Sequence, residues 1–66
     1  MKTFEKELCD EMLKNGKIIF YDESVTKEGI CVRCYKVNYL DLCYTITKNN
    51  DEWVYIYFNG KAQESV

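Results

Sequence analysis

Histidine is absent from this 66-residue sequence, and serine occurs only twice. Without an imidazole, neither a Ser-His nor a Cys-His pair can be assembled to activate a nucleophile. The only serines, Ser24 and Ser65, lie in a predicted loop and a predicted tail. The neighbouring carboxylates of Asp51 and Glu52 would diverge at the start of a strand and so could not act as an acid-base pair. The three glycines are too scattered to form a phosphate-binding loop. The sequence therefore predicts a protein that is not an enzyme.

Long apolar runs are also missing. No stretch approaches the ~20 apolar residues of a membrane span, and the charged N-terminus MKTFEKELCDEMLK lacks the apolar core of a signal peptide. We therefore expect a cytoplasmic protein that does not contact a membrane. Because that compartment is reducing, Cys9, Cys31, Cys34 and Cys43 are expected to be free thiols rather than two disulfides.

The spacing of Cys31 and Cys34 is the one pattern that suggests a metal, because Cys9 and Cys43 could complete a four-thiolate zinc site. The intervening Val32 and Arg33 favour extended backbone, in which the two sulfurs would point to opposite faces of a sheet. A zinc site needs a tight turn between such cysteines instead. We expect neither metal nor cofactor, with zinc as the alternative, and the cysteines acting as small apolar residues.

Basic charge is limited too. The formal net charge is -2 and the isoelectric point is near 5.0, so the chain lacks the basic surface that usually grips a phosphate backbone. This balance disfavours nucleic acid as the partner.

The absence of proline and the excess of lysine over a single arginine fit AT-rich codons, which suggests a low-GC bacterium, or a phage or plasmid of one, as the source.

Apolar residues recur at helical spacing near the N-terminus, where Phe4, Leu8 and Met12 predict a helix over residues 4–15. Thr3 is placed to act as its N-cap and Gly16 as its stop. Downstream, β-branched and aromatic residues predict four strands and a frayed tail, with a reversal near residues 38–41 that is hard to place. The predicted strands cover residues 17–21, 30–38, 41–48 and 52–58, and the tail covers residues 61–66.

This order predicts a single α+β domain in which the N-terminal helix packs on one face of a small antiparallel sheet of three to four strands (α-β-β-β-β). Strict alternation in the last strand would send Val54, Ile56 and Phe58 to the helix-covered face. The rest of the predicted core is Ile30, Val32, Cys34, Leu42, Tyr44 and Ile46. The predicted opposite face consists of Trp53, Tyr55, Tyr57, Tyr35, Arg33, Cys31, Cys43, Thr45 and Thr47.

Rings beside the only arginine resemble the composition of binding hot spots. We therefore predict a protein-binding module whose site consists of Trp53, Tyr55, Tyr57, Tyr35 and Arg33. In size, acidity and lack of catalytic groups, the chain looks like the accessory proteins with which phages and plasmids inhibit host machinery, so an inhibitor or adaptor is expected, and two copies could pair through the same face. Two alternatives remain: the rings could bind single-stranded nucleic acid, or simply shield the sheet.

Overall fold

The computed structural model describes residues 1–62, which form one helix followed by four strands. The strands form one antiparallel sheet in the order β1-β2-β3-β4, so each strand pairs with its neighbour in sequence. The predicted α+β class and its element order are confirmed. The elements are α1 (Thr3–Asn15), β1 (Lys17–Val25), β2 (Cys31–Tyr39), β3 (Leu42–Asn49) and β4 (Glu52–Lys61).

Strands β1 and β4 extend further than the sequence suggested, whereas β2 and β3 are shifted by one residue, so that Ile30, predicted to be core, precedes β2. Strand β1 continues to Val25, so Ser24 lies in a strand and not in the predicted loop. Strand β4 continues to Lys61, which corrects the prediction that the tail begins there. Ala62, also in the predicted tail, donates its backbone N–H to the Asp41 carbonyl at 3.0 Å, and residues 63–66 of that tail lie outside the described residues. Within residues 1–62, no helix has the length and apolar character needed to cross a membrane.

Helix α1 begins one residue before the prediction, and its cap differs. The backbone N–H of Lys2 donates to Glu5 Oε1 at 3.0 Å, so Thr3 is the first helical residue rather than the N-cap. At the other end, the N–H of Gly16 donates to the Met12 carbonyl at 2.8 Å and closes the last turn. A Cβ at Gly16 would lie 2.5 Å from Met12 O and 2.5 Å from Val37 Cγ1, so only glycine fits this close approach of helix and sheet.

The turn between β2 and β3 consists of only two residues. Tyr39 pairs with Leu42, while Leu40 and Asp41 turn the chain with φ values of 50° and 65°. Positive φ at both central residues is the geometry of a type I′ hairpin, which usually carries asparagine, aspartate or glycine. Leucine is an uncommon residue there, which is why the sequence did not reveal the turn.

Strand β4 contains a β-bulge at Val54. Trp53 pairs with Lys48, but Tyr55 pairs with Thr47, so Val54 is an extra residue without a partner. Such an insertion interrupts the strict alternation of side chains along a strand. Trp53 therefore lies on the same face as Ile56 and Phe58. Uninterrupted alternation would place it on the opposite face.

The core lies between the helix and one face of the sheet. Trp53 is only 4% exposed, and the other four buried residues are fully enclosed. The helix is fixed across this face by Asp10, which contacts Trp53 at the start of β4, and by Glu11, which contacts Tyr39 at the end of β2. The buried residues are Cys9, Met12, Val37, Ile46 and Trp53.

Candidate functional site

The five residues predicted to form one aromatic binding site are divided between the two faces of the sheet. Side chains directly opposite each other in an antiparallel pair lie on the same face. Tyr35 pairs with the buried Ile46, and its ring centroid lies 6.0 Å from that of Trp53. Both rings therefore belong to the helix-bearing face. The prediction that all five residues share an uncovered face is wrong for Trp53, Tyr35 and Arg33.

Two features of the chain caused this error. The two-residue turn at Leu40 and Asp41 fixes the register so that Tyr35 faces Ile46, and Cys34 faces Thr47. Cys34 and its strand neighbour Val32, which were predicted to be core, therefore lie on the side away from the helix. The bulge in β4 then brings Trp53 into the core, whereas Tyr55 and Tyr57 remain outside it.

The side of the sheet away from the helix, here called the open face, is built from cross-strand rows. One row runs from Phe20 through Lys36 and Thr45 to Tyr57, and a parallel row ends at Tyr55. No helix covers this face within residues 1–62. Its members are Lys17, Phe20, Asp22, Ser24, Val32, Cys34, Lys36, Asn38, Cys43, Thr45, Thr47, Asn49, Tyr55, Tyr57 and Asn59.

Three rings give the open face its apolar character. Phe20, Tyr55 and Tyr57 are 50%, 48% and 54% exposed. The rings of Tyr55 and Tyr57 are nearly parallel, with an interplanar angle of 4° and centroids 6.3 Å apart. At the opposite edge, Lys36 Nζ lies 5.9 Å from the centroid of the Phe20 ring. Phe20 thus lies on edge strand β1, and Tyr55 and Tyr57 lie on edge strand β4, on either side of the two middle strands.

Polar groups occupy the middle of the open face. Thr45 donates from its hydroxyl to Asn59 Oδ1 at 2.7 Å, next to Tyr57. Thr47 lies in the adjacent row. Lys36 adds a positive charge to this face and Asp22 a negative charge. A surface with apolar rings around short polar side chains can exclude water at its contacts and still offer hydrogen bonds.

On the helix-bearing face, Arg33 belongs to a second cluster that the sequence did not predict. Glu23 accepts hydrogen bonds from the Tyr21 hydroxyl at 2.6 Å and from Cys31 Sγ at 3.3 Å, and Arg33 Nε lies 3.8 Å from its Oε1. The hydrogen bond from Tyr21 is the main reason that the pKa of Glu23 is lowered, and it raises the pKa of Tyr21. The tyrosine ring packs on Tyr35 with centroids 5.0 Å apart.

The four cysteines are free, and the register separates them. Cys31 contacts Glu23 on the helix-bearing face while Cys34 faces Thr47 on the open face, as the extended backbone between them predicted. Burial raises the pKa of the Cys9 thiol to about 11, and the hydrogen bond to Glu23 raises that of Cys31. Both thiols are therefore held in their protonated, less nucleophilic form. Across residues 1–62, no group of three or more cysteine, aspartate or glutamate side chains could hold a metal ion.

Comparisons of this chain with protein-family models, curated proteins and solved structures find no match.

Proposed function

We propose that this protein is a binding module without catalytic activity, and that its open face docks onto another protein as an inhibitor or adaptor would. The observation that carries the proposal is the exposure of Phe20, Tyr55 and Tyr57 on the one sheet face that the helix leaves uncovered. Exposed aromatic rings around short polar side chains resemble the composition of binding hot spots. Aromatic rings also provide much contact area for little loss of side-chain entropy.

The two edges of the sheet are less suited to binding. Strand β1 has a bulge at Ile19, followed by the acidic residues Asp22 and Glu23. Strand β4 has irregular register at Val54 and again at Asn59. Bulges and charges are features with which proteins prevent strand addition at an edge. A partner is therefore expected to contact side chains of the face rather than the backbone of an edge strand.

The proposal is tested by comparing partner capture by the parent and by the double variant Tyr55→Ala/Tyr57→Ala. The tagged proteins are expressed in the source cell, cross-linked and recovered, and the affinity for each captured protein is then measured with purified components. Loss of both rings should weaken binding by about 2 kcal/mol or more, which is the usual threshold of a hot spot.

Phe4→Ala is the matched control, since Phe4 is 64% exposed but lies on the helix. Melting curves must show that both variants remain folded. Unchanged affinity of the folded double variant, or equal loss in Phe4→Ala, would exclude the open face as the binding surface.

Single-stranded nucleic acid is the second candidate, and the parallel rings of Tyr55 and Tyr57 favour it. Bases stack on such rings, and Lys36 could approach a phosphate. The acidic composition argues against it. Salt distinguishes the two candidates, because nucleic-acid affinity falls steeply as salt rises, whereas contacts between aromatic surfaces change little.

A second copy of the chain is a further partner to test on the open face. Sedimentation of the purified protein over a range of concentrations measures this association directly. If the parent dimerises and the Tyr55→Ala/Tyr57→Ala variant does not, the open face is the dimer interface. If both dimerise, another surface joins the copies.

A further inference from the structure

Arg33 and Lys48 are directly opposite each other on strands β2 and β3, on the face that carries the helix. Two like charges in such a cross-strand pair repel each other and destabilise a sheet. Each cation would normally be offset by a carboxylate. In the part of the chain that the structure describes, the Lys48 ammonium forms no ion pair, and Arg33 approaches Glu23 only through Nε, at 3.8 Å.

The acidic side chains of this region also have other partners. Glu23 forms the ion pair with Arg33 and in addition accepts hydrogen bonds from Tyr21 and Cys31, so its charge is shared among three donors. Glu52 pairs with Lys6 at 3.2 Å, and Asp10 accepts from the Trp53 indole at 2.7 Å. The positive charge of the Arg33–Lys48 pair is thus only partly compensated.

Aromatic rings border this pair of cations. Lys48 Nζ lies 4.7 Å from the centroid of the Trp53 ring, and Tyr35 lies between Trp53 and Tyr21, at centroid distances of 6.0 Å and 5.0 Å. Rings beside a charge displace water, and a lower local dielectric strengthens the attraction for an anion. They also offer a surface on which an organic group attached to that anion can pack.

We infer that Arg33 and Lys48 form a binding site for a phosphate monoester, with the phosphate between the two cations and its organic group against Tyr35. The guanidinium supplies a planar fork of donors that matches phosphate oxygens, and the ammonium supplies a compact second charge. The site is on the opposite side of the sheet from the open face. It is therefore independent of the protein-binding surface proposed above.

The test uses NMR titration of the full-length 15N-labelled protein with inorganic phosphate and with phenyl phosphate. Ionic strength is kept constant with sodium chloride. The Trp53 indole N–H and the backbone amides of Arg33 and Lys48 should shift in a saturable way, and phenyl phosphate should bind more tightly than inorganic phosphate. Equal affinity for the two ligands would assign the site to free phosphate and overturn the packing of an organic group on Tyr35.

Arg33→Gln and Lys48→Gln should each weaken the affinity by about tenfold or more, as loss of a charge-assisted hydrogen bond does. Lys14→Gln is the matched control, because it removes an exposed lysine from the last turn of the helix, outside both proposed sites, and should leave the affinity unchanged. Arg33→Lys keeps the charge without the fork and should bind at an intermediate level. The Tyr55→Ala/Tyr57→Ala variant should bind phenyl phosphate like the parent, so that failure of the two proposals can be told apart.

Absence of a saturable shift would overturn the inference, as would an equal response to chloride alone. So would an affinity that survives in both glutamine variants. If one glutamine variant does not fold, the other and Arg33→Lys still decide the question.

Discussion

Trp53 donates a hydrogen bond from its indole N–H to Asp10 Oδ1 at 2.7 Å. This hydrogen bond connects the start of β4 to the middle of the helix. Replacing Asp10 with alanine leaves the indole donor of the buried Trp53 without its acceptor, and we expect the free energy of unfolding to fall by about 1–3 kcal/mol. Asp10→Asn retains a carbonyl oxygen and should lose less. Urea unfolding followed by Trp53 fluorescence measures both variants, and equal losses would show that the hydrogen bond is not what stabilises this contact.

Trp53 and Tyr55 make a second contrast, because they lie only two positions apart but differ greatly in burial. Trp53 is 4% exposed in the core, whereas Tyr55 is 48% exposed on the open face. Trp53→Ala should cost about 3–5 kcal/mol, as truncation of a buried aromatic residue does. Tyr55→Ala should change stability by about 0.5 kcal/mol or less, like most surface substitutions. Chemical denaturation of the two variants tests the bulge at Val54, since strict alternation would give similar losses for both.

Gly16 is the point of closest approach between the helix and the sheet. An alanine methyl group there would lie 2.5 Å from both the Met12 carbonyl oxygen and Val37 Cγ1, and neither the backbone nor the buried valine can easily move. We expect Gly16→Ala to reduce stability by about 1–3 kcal/mol, as overpacking does. In a Val37→Ala background the additional loss should be smaller. Additive losses in the double variant would mean that Val37 is not part of the clash.

The fold could be predicted from the sequence because its signals are local. Helical spacing of Phe4, Leu8 and Met12 and the stop at Gly16 gave the helix, and β-rich segments separated by polar residues gave the four strands in their order. The candidate site could not be predicted in the same way. Which face a strand residue occupies depends on register, and a shift of one residue reverses every side chain of the strand.

Register here depends on two features that lack a sequence signal. One is the turn at Leu40 and Asp41, where the backbone adopts a conformation that leucine seldom takes. The other is the bulge at Val54, because valine fits a regular strand equally well. The pattern of the last strand alone therefore placed Tyr55 and Tyr57 together correctly, but it could not assign Trp53 or relate these rings to Tyr35 and Arg33.

The strained turn leads to a stabilising prediction. Leu40 has φ of 50° and is 77% exposed, so its side chain gains little from burial while its backbone is unfavourable. Asparagine is preferred at this position of a type I′ turn, and Leu40→Asn should raise the free energy of unfolding by about 0.5–1 kcal/mol. Asp41→Gly should act in the same direction at the second turn position. Equal or lower melting temperatures for both variants would contradict this account of the turn.

The buried thiol of Cys9 should make stability depend on alkaline pH. Burial is the main reason that its pKa rises from 9.0 to about 11, with Asp10 and Glu5 adding to the effect. Because the raised pKa favours the protonated thiol in the folded state, this contribution is fully present below about pH 9 and is lost as the pH rises toward 11. Urea unfolding at pH 8, 9, 10 and 11 should therefore show a steeper decline for the parent than for Cys9→Ala, the control that lacks this thiol. Parallel declines in the two proteins would mean that the Cys9 thiol keeps an ordinary pKa in the folded chain.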